Sequence, residues 1–266
     1  GYARDATKYI EMLAGAVVDP RRGAKTFEER KAQMIHALED LEAHDDAAFV
    51  RLLRRAAFGV KHAYGRSPYG TLADVKRLDI AGVAKRQDQL LNPHTATLVV
   101  VGDVDPVAVA RVAEESFRKF KMRGTPARDT IDSLRVTPRE SVVVIPRRPA
   151  STMAICAARP LADLESSLAG VEVLAAILGG GFNSRLVASL RLEHALAYSP
   201  HAAIMQRRHG AAFLACVRVA KDQSTPGVEH LLAVLADLRA KPPTEEEVTR
   251  AKALLRAEIR ARHDDV

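Results

Sequence analysis

The side chains best suited to chemistry are nine histidines, two cysteines and a few arginines and tyrosines in turn-rich surroundings. A zinc site needs three or four nitrogen, sulfur or oxygen ligands. No His-x-x-x-His, His-x-x-Glu-His or Cys-x-x-Cys spacing occurs in the chain. His44-Asp45-Asp46 and His263-Asp264-Asp265 have ligand-like composition. Both fall near expected helix ends, where such residues act as caps or stay solvated. Cys156 and Cys216 fall in expected strands and read as inert core thiols. Gly179-Gly180-Gly181-Phe182-Asn183 lacks the Lys-Ser/Thr ending of a phosphate loop, and a helix rather than a strand precedes it. Three glycines exceed what a helix stop needs and suit a side-chain-free surface that an extended peptide can approach. Arg191 and Tyr198, seven residues apart, offer a rigid fork of donors and a hydroxyl that together can hold a peptide carbonyl or a carboxylate.

The elements that must position these residues follow from periodicity. Ile10, Leu13, Ala14 and Val17 mark a helix over 5–17, ended by Pro20 and Gly23. Helices are expected from Thr26, a possible N-cap, to Glu42, over 46–58, and over 80–91 before Asn92-Pro93. Residues 62–70 read as a loop. Thr95–Gly102 is a β-branched run and is expected to be a buried strand. Asp105 and Pro106 then start a helix to about Phe120. Further strands are expected over 142–145, 152–158, 197–205 and 211–219, and helices over 163–178, from Asn183 or Ser184, over 226–239 and over 245–261.

The 266 residues are 47% apolar and 27% charged, which excludes global disorder, and no apolar run is long enough to span a bilayer. The net charge of +7 is scattered in pairs such as Arg54-Arg55 and Arg207-Arg208. That dispersion argues against a nucleic-acid footprint. The start carries neither a signal-peptide pattern nor an initiator Met, so the compartment, cytoplasm or periplasm of a bacterium, stays open.

The two ends of the chain share a pattern. Leu13-Ala14 aligns with Leu235-Ala236, Arg30 with Arg250 and His44-Asp45-Asp46 with His263-Asp264-Asp265. Each copy runs helix, proline break, helix, His-Asp-Asp, which reads either as a duplicated unit or as chance likeness between Ala/Leu/Arg-rich amphipathic helices. Residues 1–122 are expected to be the second part of one repeat, 123–139 a linker, and 140–266 the first part of the next.

Ser67-Pro-Tyr-Gly70, the stretch Asn92–Asp103, and above all Leu178-Gly-Gly-Gly-Phe-Asn-Ser-Arg-Leu-Val-Ala-Ser-Leu-Arg191 continued by Leu196-Ala-Tyr-Ser199 carry a resemblance. They resemble the pitrilysin/insulinase family of zinc peptidases, which includes mitochondrial processing peptidase and paired bacterial subunits. The resemblance implies an α+β fold of the LuxS/MPP-like metallopeptidase kind. In it, tandem related sandwich halves each cover a mixed, largely antiparallel sheet with helices.

It also implies a division of labour. The family's zinc is held by His-x-x-Glu-His and a distant Glu seven residues after the Glu of a Glu-Arg pair. Here that pair is Glu29-Arg30, no His-x-x-Glu-His exists, and the third-ligand position is His36. The family's catalytic subunits carry Glu there and their non-catalytic partners do not. The resemblance thus implies no cofactor in this chain, with zinc in a partner subunit or in a segment outside it. Gly179, Gly180, Gly181, Phe182, Arg191 and Tyr198 match the family's substrate-binding loop and Arg/Tyr pair. Leu192, Glu193, His194 and Ala195 depart from the more common Glu, Lys, Arg and Gly.

The implied role is the non-catalytic, peptide-binding part of a zinc metalloendopeptidase, paired as a heterodimer with a zinc-bearing homologue or as a homodimer. Two alternatives remain open at this point: a piece of a self-sufficient zinc peptidase, and a structural scaffold without proteolysis.

Overall fold

The computed structural model describes residues 1–43, 45–125, 131, 142–144, 151–161 and 167–264. In chain order the helices are α1 (Ala6–Val18), α2 (Ala24–Ala43), α3 (Asp45–Phe58), α4 (Leu72–Arg77), α5 (Ile80–Leu90) and α6 (Pro106–Phe117). Then come β1 (Thr152–Leu161), α7 (Leu168–Gly179), a π-helical segment (Val187–Glu193), β2 (His201–Arg207), β3 (Gly210–Ala220), α8 (Ser224–Ala240) and α9 (Glu245–Asp264). The chain divides into two compact units, Gly1–Ala43 with Tyr69–Thr130, and His44–Pro68 with Ile131–Val266. Most of the expected linker, Ile145 of the expected strand over 142–145, and the side chains of both His-Asp-Asp runs lie outside the described residues.

The first unit is helical. Ile10 and Ala14 of α1, Leu38 of α2 and Val75 of α4 are its buried apolar residues. Side-chain caps start α4, α5 and α6, as the chemistry of Asp and Thr favours, whereas Asp5 before α1 makes no capping bond. Asp105 accepts from the Val107 N–H with Pro106 in the first turn, as expected. Asp79 accepts from Gly82 and Thr71 from Asp74. The Thr71 cap starts α4, which periodicity missed because six residues are too few to show it. Thr26 does not cap α2. That helix begins two residues earlier, and the Phe27 N–H bonds the Gly23 carbonyl at 3.0 Å. Asn92 is fully buried and organises its turn, donating to the Gly124 carbonyl (3.3 Å) and accepting from the His94 N–H (3.1 Å).

The run Thr95–Gly102 corrects the expectation of a buried strand. It forms no strand in the structure, and Val99 and Val101 are 74% and 70% exposed. Leu98, Val100 and Gly102 line a cleft against α6, while Val99 and Val101 face away. The alternation is that of a strand. β-Branched residues favour extended backbone, but a strand also needs a ladder partner, and no described residue supplies one. Val142, Val143 and Val144 are likewise exposed and form no strand.

The second unit is built on a three-stranded antiparallel sheet of order β1-β3-β2. β3 is central. Ala215, Val217 and Val219 pack with Leu178, Leu186, Leu190, Leu231 and Val234 on one face. Ala212, Leu214 and Cys216 pack with Leu53, Ala57 and Phe58 of α3 on the other. The period-2 alternation of β3 therefore feeds two cores. Gly227 lets α8 approach this sheet, since a Cβ there would meet Val219 Cγ1 at 2.9 Å. β2 starts at His201 rather than Ala197, which makes a single bridge to Val219. Pro200 lies between them and has no N–H to give a ladder.

Cys156 and Cys216 are not free core thiols. They face each other across the β1–β3 ladder with Cα atoms 4.1 Å apart and form a disulfide. Strand register decides this, and single-strand periodicity does not contain register.

Candidate functional site

The residues from α7 to β2 form a continuous presenting segment in the second unit. Its triglycine has three separate roles. Gly179 ends α7 fully packed, because a Cβ there would collide with the backbone of His201 and Ala202. Gly180 caps α7 with φ −87°, and a Cβ on it would lie 2.6 Å from Ala176 Cα. Gly181 alone is open, with only Leu254 Cδ2 at 3.9 Å. Close approach, not left-handed backbone, thus explains the first two glycines. The turn closes where the Ser184 N–H bonds the Gly181 carbonyl at 3.1 Å, which leaves Phe182 72% exposed.

Arg185 pins the next turn. Its Nε and Nη2 donate to the two oxygens of Glu247 at 2.7 and 2.8 Å, and its Nη1 donates to the Lys241 carbonyl at 3.1 Å. Thr244 and Glu247 form a reciprocal capping box at the start of α9, with contacts of 2.8 and 3.2 Å. The Arg185 hydrogen bonds, aided by the Thr244 N–H and opposed by desolvation, hold the Glu247 carboxyl at about 2 instead of the usual 4.5. The Arg185 guanidinium is pushed the other way, upward, first by its hydrogen bonds to Glu247.

Beyond Arg185 the helix widens into the π-helical segment, where the His194 N–H reaches back to the Ser189 carbonyl at 3.1 Å. Such bulges shift the facing of side chains and recur at functional sites. The Leu190 carbonyl accepts from both Leu196 and Ala197. This tight return needs a left-handed residue, and Ala195 takes φ +50°. That is the position where the resemblance leads one to expect glycine.

The result brings three of the expected site residues together. Arg191 Cζ lies over the Phe182 ring at 5.1 Å and over the Tyr198 ring at 4.6 Å from the centroids. Tyr198 is 78% exposed and Arg191 half-buried. Among the described residues none hydrogen-bonds or ion-pairs with the Arg191 guanidinium. Gly179 and Gly180 are placed in packing roles, with Gly181 at the open edge. A cleft of about 170 Å³ lies beneath the turn against Ala251 and Leu254 of α9. Periodicity did not single out Arg185 and Glu247, although Thr244-x-x-Glu247 is a readable capping signature. It also missed the stack of His194 on His230, with ring centroids 3.8 Å apart.

His36 stands apart from any cage. Its side chain is 80% exposed on α2, with Glu39 Oε2 at 3.7 Å. Among the described residues no three His, Cys, Asp or Glu side chains gather into a metal-binding group. His36 and its described neighbours do not make up a zinc ligand set. Among the described residues no helix is long and apolar enough to cross a membrane.

The second unit is thus a helix-covered antiparallel sheet that presents an Arg–aromatic cluster. The sequence profile of the peptidase M16 inactive domain matches residues 81–255, and the chain belongs to that family. Solved structures share the fold. A peptidase M16 inactive domain from Pseudomonas fluorescens superposes with TM-score 0.81 at 20% identity, covering 93% of this chain and 59% of its own. A protease from Helicobacter pylori gives 0.83 at 17% identity, covering 97% and 63%. A chain of complex III2 from Candida albicans gives 0.79 at 18% identity, covering 98% and 64%. The chain thus spans less than two thirds of each of these relatives. No curated protein sequence matches it.

Proposed function

We propose that this chain is the non-catalytic, substrate-binding part of a zinc metalloendopeptidase that degrades or processes peptides. The observation that carries this reading is the half-buried Arg191 guanidinium. It has no hydrogen-bond or ion-pair partner among the described residues and is held between two anchored turns beside the exposed Tyr198 hydroxyl. Arg191 donates in-plane N–H groups to a peptide carbonyl or carboxylate, and Tyr198 adds one further donor or acceptor. The zinc and the attacking water belong to a homologous partner subunit or to a segment outside this chain. Residues 1–122 and 140–266 are, on the same reading, adjoining parts of two copies of one building plan.

The test is peptide binding by the full-length protein, read as anisotropy of a fluorescein-labelled tryptic digest of casein. Arg191→Ala weakens binding tenfold or more while lowering the melting temperature by no more than about 4 °C. Equal binding by the variant overturns the reading.

The scaffold alternative is favoured by one observation, the structural likeness to a chain of complex III2. On that reading Arg191→Ala changes nothing.

A further inference from the structure

We propose that Phe182 is a positioning residue that fixes the guanidinium plane of Arg191. This deepens the reading above and rests on it. Phe182 is 72% exposed at the tip of a turn, so burial in a core does not account for a phenyl ring there. Its backbone is fixed by the Ser184-to-Gly181 bond, and the open Gly181 beside it leaves room for the ring. The group its face meets is Arg191, whose Cζ is 5.1 Å from the ring centroid. Tyr198 provides a second face at 4.6 Å.

A long arginine side chain left to itself samples many rotamers, and a ligand must pay for ordering them. Attraction to two ring faces restricts that sampling before any ligand arrives. With its central carbon held over two rings, the guanidinium keeps N–H groups for an acceptor, since none is hydrogen-bonded to a described residue. The site then favours a ligand oxygen that such N–H groups can reach, namely a peptide carbonyl or carboxylate. The three ring and cation positions depend on three different backbone devices: the triglycine turn, the π-helical segment and the left-handed Ala195.

The test uses the full-length protein labelled with ¹³C,¹⁵N-arginine, without ligand and then with the fluorescein-labelled casein digest. Ring currents are expected to hold the Arg191 δ-methylene signals upfield of the other arginines. Phe182→Leu, which keeps apolar volume but no ring, is expected to remove much of that shift and weaken peptide binding about tenfold. Phe182→Tyr is expected to preserve both within twofold. Peptide binding by Phe182→Leu within twofold of the parent, where Arg191→Ala still abolishes it, overturns this inference and leaves the binding reading intact. Unchanged binding by Arg191→Ala overturns both.

Discussion

Two runs rich in β-branched and small apolar residues meet opposite fates. Ala211–Val219 becomes the central strand of the second unit, paired on both sides and buried on both faces, with Ala215 and Val217 at 0% and 2% exposure. Thr95–Val101 in the first unit alternates in the same way yet pairs with no described residue, and Val101 stays 70% exposed. The difference teaches that composition specifies extended backbone, whereas neighbours specify a strand. It also explains why the Arg–aromatic cluster sits where it does. It grows from the region held by the sheet, the disulfide, the capping box and the part-buried Arg185–Glu247 ion pair.

Removing one of those partners has the largest expected effect on this closed region. Arg185→Ala leaves the part-buried Glu247 carboxylate with only the Thr244 partner and removes two charge-assisted hydrogen bonds, an expected cost of about 3 kcal/mol read by urea unfolding. Arg191→Ala, six residues on, loses two ring contacts but no hydrogen bond or ion pair among the described residues, and is expected to cost at most about 1 kcal/mol. Equal costs for the two arginines would break the distinction between anchor and presented group.

Acid probes the same anchor. The folded Glu247 carboxyl titrates at about 2 and the unfolded one near 4.5. Its stabilisation is therefore complete above about pH 5 and drains away as pH falls from 4.5 toward 2, with a total of about 3 kcal/mol. Glu247→Gln is expected to flatten that part of the stability-against-pH curve.

The two apolar runs can be compared directly. Val217→Ala is expected to destabilise by about 2 kcal/mol through lost burial and a residual cavity. Val101→Ala is expected to change stability by less than about 0.5 kcal/mol. A matching loss at Val101 would show that the exposed run is covered in solution. The smallest effect is a gain. Ala195→Gly relieves a left-handed alanine and is expected to raise stability by about 0.5–1 kcal/mol, less whatever the freer unfolded chain takes back.

Much of this was legible in the sequence. Helical periodicity located α1, α2, α3 and α5, and the Asp105-Pro106 start of α6, because each is set by residues within a few turns. The triglycine, Arg191 and Tyr198 were singled out differently, by side-chain chemistry and by the family resemblance. What escaped depends on distant partners. The Cys156–Cys216 disulfide needs the β1–β3 register, Arg185–Glu247 joins residues 62 apart, and the Phe182–Arg191 contact needs the π-helical shift between them. Burial faces also escaped. Leu13-Ala14 and Leu235-Ala236 align as sequence, yet Ala14 is buried and Ala236 exposed. Helix pattern survives where packing partners differ.

The central claim is that this polypeptide holds peptides without cutting them. The direct measurement is a quenched fluorescent peptide added to the pure, zinc-supplemented protein, with binding and cleavage followed in one cuvette. The account predicts saturable binding that Arg191→Ala weakens and no cleavage until a zinc-bearing homologue is added. Cleavage by the pure protein that vanishes with a chelator would contradict it.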